Sequence, residues 1–208
     1  MVCQRDPMDQ KALPHTSATP KRPSVRLSSR RLGLYVLFAS LTMFFAAGLV
    51  AYVITRSQAT HWRVETTPHA PAGLWLSTAL VVSISAVLEG ARRAARVNRT
   101  QTLVRCLGAG GILALAFLAA QAANWRDLAA LELHSSTPSL FVFSFYLLTG
   151  LHAAHVLAGL VPLGVVLARA QRREYSSSRH EGISLCVEYW HFLAAVWLVL
   201  FAVLRLFD

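Results

Sequence analysis

Three histidines lie in apolar stretches of the chain, where ionisable side chains are costly to bury. His152 and His155 are three residues apart in residues 138–168, a run without Lys, Arg, Asp or Glu. His191 stands three residues after Glu188 in a second apolar run. Residues at this spacing share one face of a helix. Because histidine and carboxylate pairs on helices bind iron in some bundles, metal or haem ligation is one interpretation.

Hydrogen bonding between helices is the interpretation that we favour. A di-iron site requires about two Glu–His motifs and two further carboxylates, and the chain has a single such motif. Polar side chains in membrane bundles usually join neighbouring helices. We therefore expect His152, His155 and His191 to cross-link helices or to contact lipid phosphates, and we expect no metal.

Two acidic residues, Glu89 and Glu188, lie in the apolar stretches. Glu188 could relay protons or, as we favour, lie near the cytoplasmic end of its span and pair with an arginine. Glu89 is three and four residues before Arg92 and Arg93. Residues at these spacings meet on a helix surface, so the sequence predicts ion pairs there.

Composition places these residues in a membrane protein. The chain has 208 residues, of which 55% are hydrophobic and 14% charged, against about 25% charged in soluble domains. The net charge of +10 does not indicate nucleic-acid binding, because the basic residues lie between the apolar runs. Cys3, Cys106 and Cys186 lack the spacing of metal ligands, and we expect no disulfide between the last two.

Five apolar runs predict an all-α integral membrane bundle with five transmembrane helices. Sixteen of the 20 Lys and Arg residues fall on the side of the N-terminus, which predicts a cytoplasmic N-terminus and a C-terminus outside. Residues 1–31 are polar and basic, and we expect a largely disordered cytoplasmic tail followed by a membrane domain over 32–208. The predicted spans are approximately 32–55, 72–90, 107–124, 138–168 and 183–207.

Small and hydroxyl residues within the spans predict close contacts between helices. Ser77, Thr78, Ser83 and Ser85 lie in the second span, and a Gly-Ala-Gly-Gly run opens the third. Small residues let helix backbones approach each other in membranes. Gln121 and Trp125 end the third span, where we expect a capping amide and an interfacial aromatic residue.

Two motifs carry a resemblance to a known family. Residues 145–156 read FYLLTGLHAAHV, similar to a Thr-Gly-x-His-x-x-His-Val signature. Residues 189–197 read YWHFLAAVW, similar to Tyr-Trp-His-Phe-x-Asp-x-Val-Trp. Leu34, Phe38 and Ser40 of the first span, with Gln121 and Trp125, add weaker matches. Together they resemble subunit III of the haem–copper oxidases, in its five-helix form, over nearly all five spans.

The resemblance implies a non-catalytic subunit of a cytochrome c or quinol oxidase in the plasma membrane of a bacterium. The haems and copper would lie in subunit I and its partner subunit II, with no cofactor in this chain. The chain would pack against subunit I, bind structural phospholipids and support proton uptake. The residues expected to bind lipid or cross-link helices are His152, His155, His191 and Glu188. Those expected to pack against subunit I are Gly150, Gly159, Tyr189 and Trp190.

Three departures from the family mark a divergent member. Leu41, Ala194 and Asn124 stand at positions that are often acidic in the family, which weakens the expected role in proton uptake. Two alternatives stay open from the sequence. One is an accessory subunit of a nitric oxide reductase on the same fold, and the other is a self-standing haem or metal enzyme of the membrane.

Overall fold

The structure, a computed structural model, describes residues 29–58, 73–132, 140–175 and 181–206. These residues form five α-helices, and each helix is long and apolar enough to cross a membrane. The prediction of an all-α membrane bundle with five spans is therefore confirmed. Of the predicted N-terminal tail, residues 1–28 lie outside the described part of the chain. The helices are α1 Ser29–Gln58, α2 Gly73–Arg96, α3 Thr100–Glu132, α4 Leu140–Gln171 and α5 Glu181–Leu206.

The helices extend beyond the apolar runs that predicted them. Helix α3 runs from Thr100 to Glu132, whereas its apolar run covers residues 107–124. An apolar run shows only which part of a helix can lie in the hydrocarbon layer. The helix itself can continue beyond that part, because Arg, Ala and Gln are good helix formers. Helix α2 likewise continues to Arg96, and a short turn follows in which Asn98 has a φ of 55°. Asparagine accepts this left-handed conformation more readily than most residues.

Helices α2, α3, α4 and α5 pack in a ring, and α1 packs on the outside of this ring against α4 and α5. Helix α1 is correspondingly peripheral, with only Phe45 and Tyr52 buried among its described residues. Phe38 of α1 stacks on Phe192 of α5, with 4.6 Å between the ring centres. The ring of four helices therefore contains the core, and α1 covers one side of it.

Aromatic residues fill the middle of the bundle. Trp197, Phe117, Phe141 and Phe145 are among the largest side chains that are fully buried. The rings of Phe117 on α3 and Trp197 on α5 meet edge to face, with 5.0 Å between their centres. Aromatic pairs prefer this arrangement because the positive ring edge faces the negative ring surface. This packing places His152 of α4 beside the rings of Phe117 and Trp197.

Candidate functional site

His152 lies at the centre of the bundle and is fully buried. Its ring is 6.3 Å from Phe45 on α1, 5.7 Å from Phe117 on α3 and 5.1 Å from Trp197 on α5, measured between ring centres. Neither ring nitrogen has a hydrogen-bond partner among the described residues. The imidazole of His152 therefore contacts aromatic rings on three other helices, α1, α3 and α5. The predicted role in cross-linking or lipid contact stays a prediction.

His155 lies one turn further along α4 and is only partly buried. Its Nδ1 is 2.8 Å from the backbone oxygen of Leu151, and its ring is 5.4 Å from that of Phe45. The backbone oxygen of His155 accepts a hydrogen bond of 2.9 Å from the hydroxyl of Tyr189 on α5. His155 therefore stands where α1, α4 and α5 converge.

An apolar groove of about 450 Å³ opens beside His155, between α1, α4 and α5. It follows the first turns of α1 and α5 and the second half of α4, so it runs from the middle of the bundle toward one end. Leu41, at a position that the resemblance gives as often acidic, lies in its wall. The groove is lined by Leu34, Leu37, Leu41, His155, Ala158, Pro162, Val166, Gly182, Leu185, Cys186 and Tyr189.

His191 joins α5 to α2 through two polar contacts. The hydroxyl of Ser85 forms a hydrogen bond with Nδ1 of His191. Nε2 of His191 is 3.5 Å from Oε2 of Glu89. When Ser85 donates to Nδ1, the proton of a neutral imidazole lies on Nε2 and faces the carboxylate. Among the described residues, the ring of His191 therefore hydrogen-bonds a side chain of another helix, whereas the rings of His152 and His155 do not.

Glu89 forms ion pairs with two arginines of the next turn of α2, Arg92 and Arg93. Oε2 lies 2.8 Å from Nη2 of Arg92, and Oε1 lies 3.3 Å from Nε of Arg93. The predicted pairing of Glu89 is confirmed. Glu188 differs, because it has neither a hydrogen bond nor an ion pair within the described residues. The expected pairing of Glu188 with an arginine is therefore not found in this part of the chain.

A buried amide network that the sequence did not indicate connects α2 and α3. Asn124 donates to Oε1 of Gln121 over 2.9 Å, and the hydroxyl of Ser77 lies 3.2 Å from the same oxygen. All three side chains are buried. We expected Gln121 to cap a helix end, but α3 continues well past it. The i, i+3 spacing of Gln121 and Asn124 was the one available signal, since it places both amides on one helix face.

Two indole nitrogens extend this pattern of contacts between helices. Nε1 of Trp197 on α5 donates to the hydroxyl of Thr78 on α2 over 3.1 Å. Nε1 of Trp125 on α3 donates to the hydroxyl of Thr149 on α4 over 3.0 Å. Trp125 was expected to be an interfacial residue, and the structure shows that its polar atom faces a neighbouring helix.

The hydroxyl residues of α2 divide into two groups. Ser77, Thr78 and Ser85 hydrogen-bond side chains of other helices, as described above. Ser83 is exposed and bonds only the backbone oxygen of Ala79 in its own helix. The prediction of close contacts therefore holds for three of the four hydroxyl residues in this span.

Gly159 of α4 packs closely against α5. A Cβ atom on Gly159 would lie 2.7 Å from the ring of Tyr189 and 3.3 Å from that of Trp190. Trp190 is buried, and Ala194, at a second usually acidic position, is buried one turn beyond it. At Gly150 the nearest atom would be 4.0 Å away, in Trp125. The predicted contacts of these residues with subunit I stay predictions.

The cysteines and possible metal ligands of the described helices can also be placed. Cys106 is partly buried and Cys186 is buried, and both are free. Within the described ranges, no group of three or more His, Cys, Asp or Glu side chains is arranged to hold a metal ion.

Comparison with known proteins decides which family has this arrangement. The family model for cytochrome c oxidase subunit III matches residues 25–208. The chain belongs to the cytochrome c oxidase subunit III family. A subunit 3 of cytochrome c oxidase from Synechocystis sp. is 32% identical over 85% of this chain and 75% of its own length. One from Corynebacterium diphtheriae is 30% identical over 91% of this chain and 92% of its own length.

A third relative, cytochrome c oxidase subunit 3 from Thermostichus vulcanus, is 26% identical over 84% of this chain and 86% of its own length. The resemblance inferred from the two histidine motifs is therefore confirmed. As a member of the subunit III family, the chain is a multi-pass membrane component of a terminal oxidase. This result supports the oxidase interpretation over the reductase and the self-standing enzyme.

Proposed function

We propose that this chain is a non-catalytic subunit of a cytochrome c oxidase that stabilises the catalytic subunit I and holds a structural phospholipid beside it. The haems and copper would lie in subunits I and II, and cytochrome c would be the electron donor, in keeping with the names of the relatives. The N-terminus would face the cytoplasm of a bacterium, because most basic residues lie on that side.

The groove between α1, α4 and α5 is the observation that carries the lipid part of this proposal. Its walls are apolar side chains, which suit an acyl chain, and none of its described lining residues is Lys, Arg, Asp or Glu. His155 stands at the inner end of the groove, midway along α4, so we propose that it contacts the acyl chain rather than the phosphate of this lipid. The N-terminal end of α1 and the start of α5 form the other end.

An ion pair marks the end of the groove where a headgroup would lie. Nε of Arg31 on α1 is 3.7 Å from Oε1 of Glu181 on α5, and both side chains are exposed. A phospholipid of this leaflet would place its headgroup near these charges and its acyl chain along Leu34, Leu37 and Leu41. Arginine beside a lipid phosphate forms strong charge-assisted hydrogen bonds.

Substitutions at two adjacent positions of α4 test the lipid site. Ala158 lines the groove, whereas Leu157 is exposed outside it. We expect Ala158→Phe to fill the groove and to remove one co-purifying phospholipid, counted by native mass spectrometry of the purified chain. Leu157→Phe should keep that phospholipid. Equal lipid counts in all three proteins would contradict the lipid site.

Removal of the whole chain tests the subunit function. We expect oxidase purified from a strain without this chain to keep its initial rate of O₂ consumption with reduced cytochrome c. It should complete fewer turnovers before activity is lost, and added purified chain should restore them. An unchanged number of turnovers would contradict the proposal, and so would O₂ consumption by the purified chain alone.

A further inference from the structure

Glu188 lies on the outward face of α5, between the two helices that flank it. It is seven residues into the helix, about 10 Å along its axis, and five residues beyond Ile183, where the apolar run begins. His191, one turn later, contacts α2, and Phe192 contacts α1. Ala195 and Val199 continue the same face and are exposed. The carboxylate of Glu188 therefore interrupts an apolar surface at membrane depth.

The other acidic groups at this end of the bundle already have cationic partners. Glu181 pairs with Arg31, and Glu89 pairs with Arg92 and Arg93. Glu188 is partly buried and has no such partner among the residues that the structure describes. Ionisable groups inside the hydrocarbon layer are costly and normally pair with another group. The missing partner must therefore come from outside the described helices.

We propose that Glu188 is a docking contact for an Arg or Lys side chain on a transmembrane helix of a partner subunit. The inference rests on the proposed function, because it requires a partner polypeptide in the membrane. Charge complementarity selects a cation, and depth selects a side chain over a lipid amine, which stays at the headgroup level. The exposed Ala195 and Val199 offer the apolar surface that a neighbouring helix would cover around this ion pair.

A single substitution measures the contribution of this carboxylate to the complex. In the intact oxidase, Glu188→Gln should release this chain about tenfold faster or more in mild detergent, because loss of one partner of a desolvated charge pair acts on dissociation. Glu174→Gln is the control at the same end of the bundle, since it removes an exposed ion pair with Arg169 and should change release less than twofold. The purified chain with Glu188→Gln should unfold at the same temperature as the unmodified chain.

Each contrary result overturns the inference in a different way. An unchanged release rate would show that no partner holds Glu188, and a destabilised isolated chain would show that it acts within this chain. Failure of the unmodified chain to co-purify with oxidase subunits would instead contradict the proposed function. The two failures are therefore distinguishable in one purification.

A photoreactive p-benzoyl-phenylalanine in place of Glu188 identifies the occupant. After irradiation of the intact oxidase, we expect mass spectrometry to find the cross-link on a partner helix, within a turn of an Arg or Lys. Cross-links only to phospholipid, or only to residues 1–28 of this chain, would overturn the inference.

Discussion

The hydroxyl of Tyr189 on α5 donates a hydrogen bond to the backbone oxygen of His155 on α4, with 2.9 Å between the two oxygen atoms. The ring that carries this hydroxyl packs over Gly159, one turn further along α4. Both motifs that led to the family, one on each helix, thus meet at a single contact. This contact also fixes the inner wall of the apolar groove, because His155 and Tyr189 both line it.

Removal of the Tyr189 hydroxyl should weaken the contact between α4 and α5. We expect Tyr189→Phe to lower the free energy of unfolding by about 0.6–1.7 kcal/mol, the range measured for hydrogen bonds between membrane helices. Unfolding of the purified chain in mixed micelles with increasing SDS measures this value. Tyr35→Phe is the control, since Tyr35 is an exposed residue of α1 and should lose nothing. Equal losses in the two variants would contradict the prediction.

A methyl group at Gly159 should separate the same two helices. The added Cβ would lie 2.7 Å from the Tyr189 ring, which is too close without movement of the ring or the backbone. We expect Gly159→Ala to cost about 1–3 kcal/mol, as overpacking of a core does. Gly164→Ala is the control on the same helix, because no atom lies within 4 Å of its Cβ. A variant at Gly159 that is as stable as the control would refute the close approach.

Two glycines at the start of α3 should respond differently to the same change. A Cβ at Gly110 would lie 2.7 Å from a terminal methyl group of Leu88 on α2, whereas Gly108 has open space around it. Leu88 is fully buried, so its side chain has little room to move. We expect Gly110→Ala to cost about 1 kcal/mol or more, and Gly108→Ala to cost nothing or to stabilise, since alanine is the better helix former. The same SDS titration distinguishes the two, and a larger loss at Gly108 would contradict the packing of α2 against α3.

Because of the buried amide network, Ser77 should contribute more to the stability of the chain than Ser83 does. Ser77→Ala removes a hydroxyl that contacts Gln121 and Asn124, and we expect a loss of about 0.6–1.7 kcal/mol. Ser83→Ala removes an exposed hydroxyl that bonds only its own helix, so stability should not change. If both serines contributed equally, the network would not join α2 to α3.

The proposed orientation of the helices can be tested with fused reporter proteins. Because most basic residues lie on the side of the N-terminus, we expect a fluorescent protein that matures only in the cytoplasm to be active at the N-terminus. Alkaline phosphatase, which requires an oxidising compartment for its disulfides, should be active only at the C-terminus. The opposite pattern of activities would reverse the proposed topology.

The sequence alone determined the number of helices, the family and the partners of Glu89. Apolar runs of this length have one stable form in a bilayer, since a helix satisfies every backbone hydrogen bond within the segment. The ion pairs of Glu89 with Arg92 and Arg93 followed from spacing on one helix, because residues three and four apart are neighbours on a helix surface. The two histidine motifs, read in order along the chain, were enough to identify the family.

Only the tertiary structure decided which side chains meet across helices. Nothing in the sequence distinguished the buried His152 from the hydrogen-bonded His191, and the arginine expected to pair with Glu188 is not found among the described residues. The burial of Gln121 and Asn124 against Ser77 was equally absent from the sequence pattern. The physical reason is that contacts between helices depend on the rotation and position of each helix against its neighbours, which are set by packing of the whole bundle and not by local spacing.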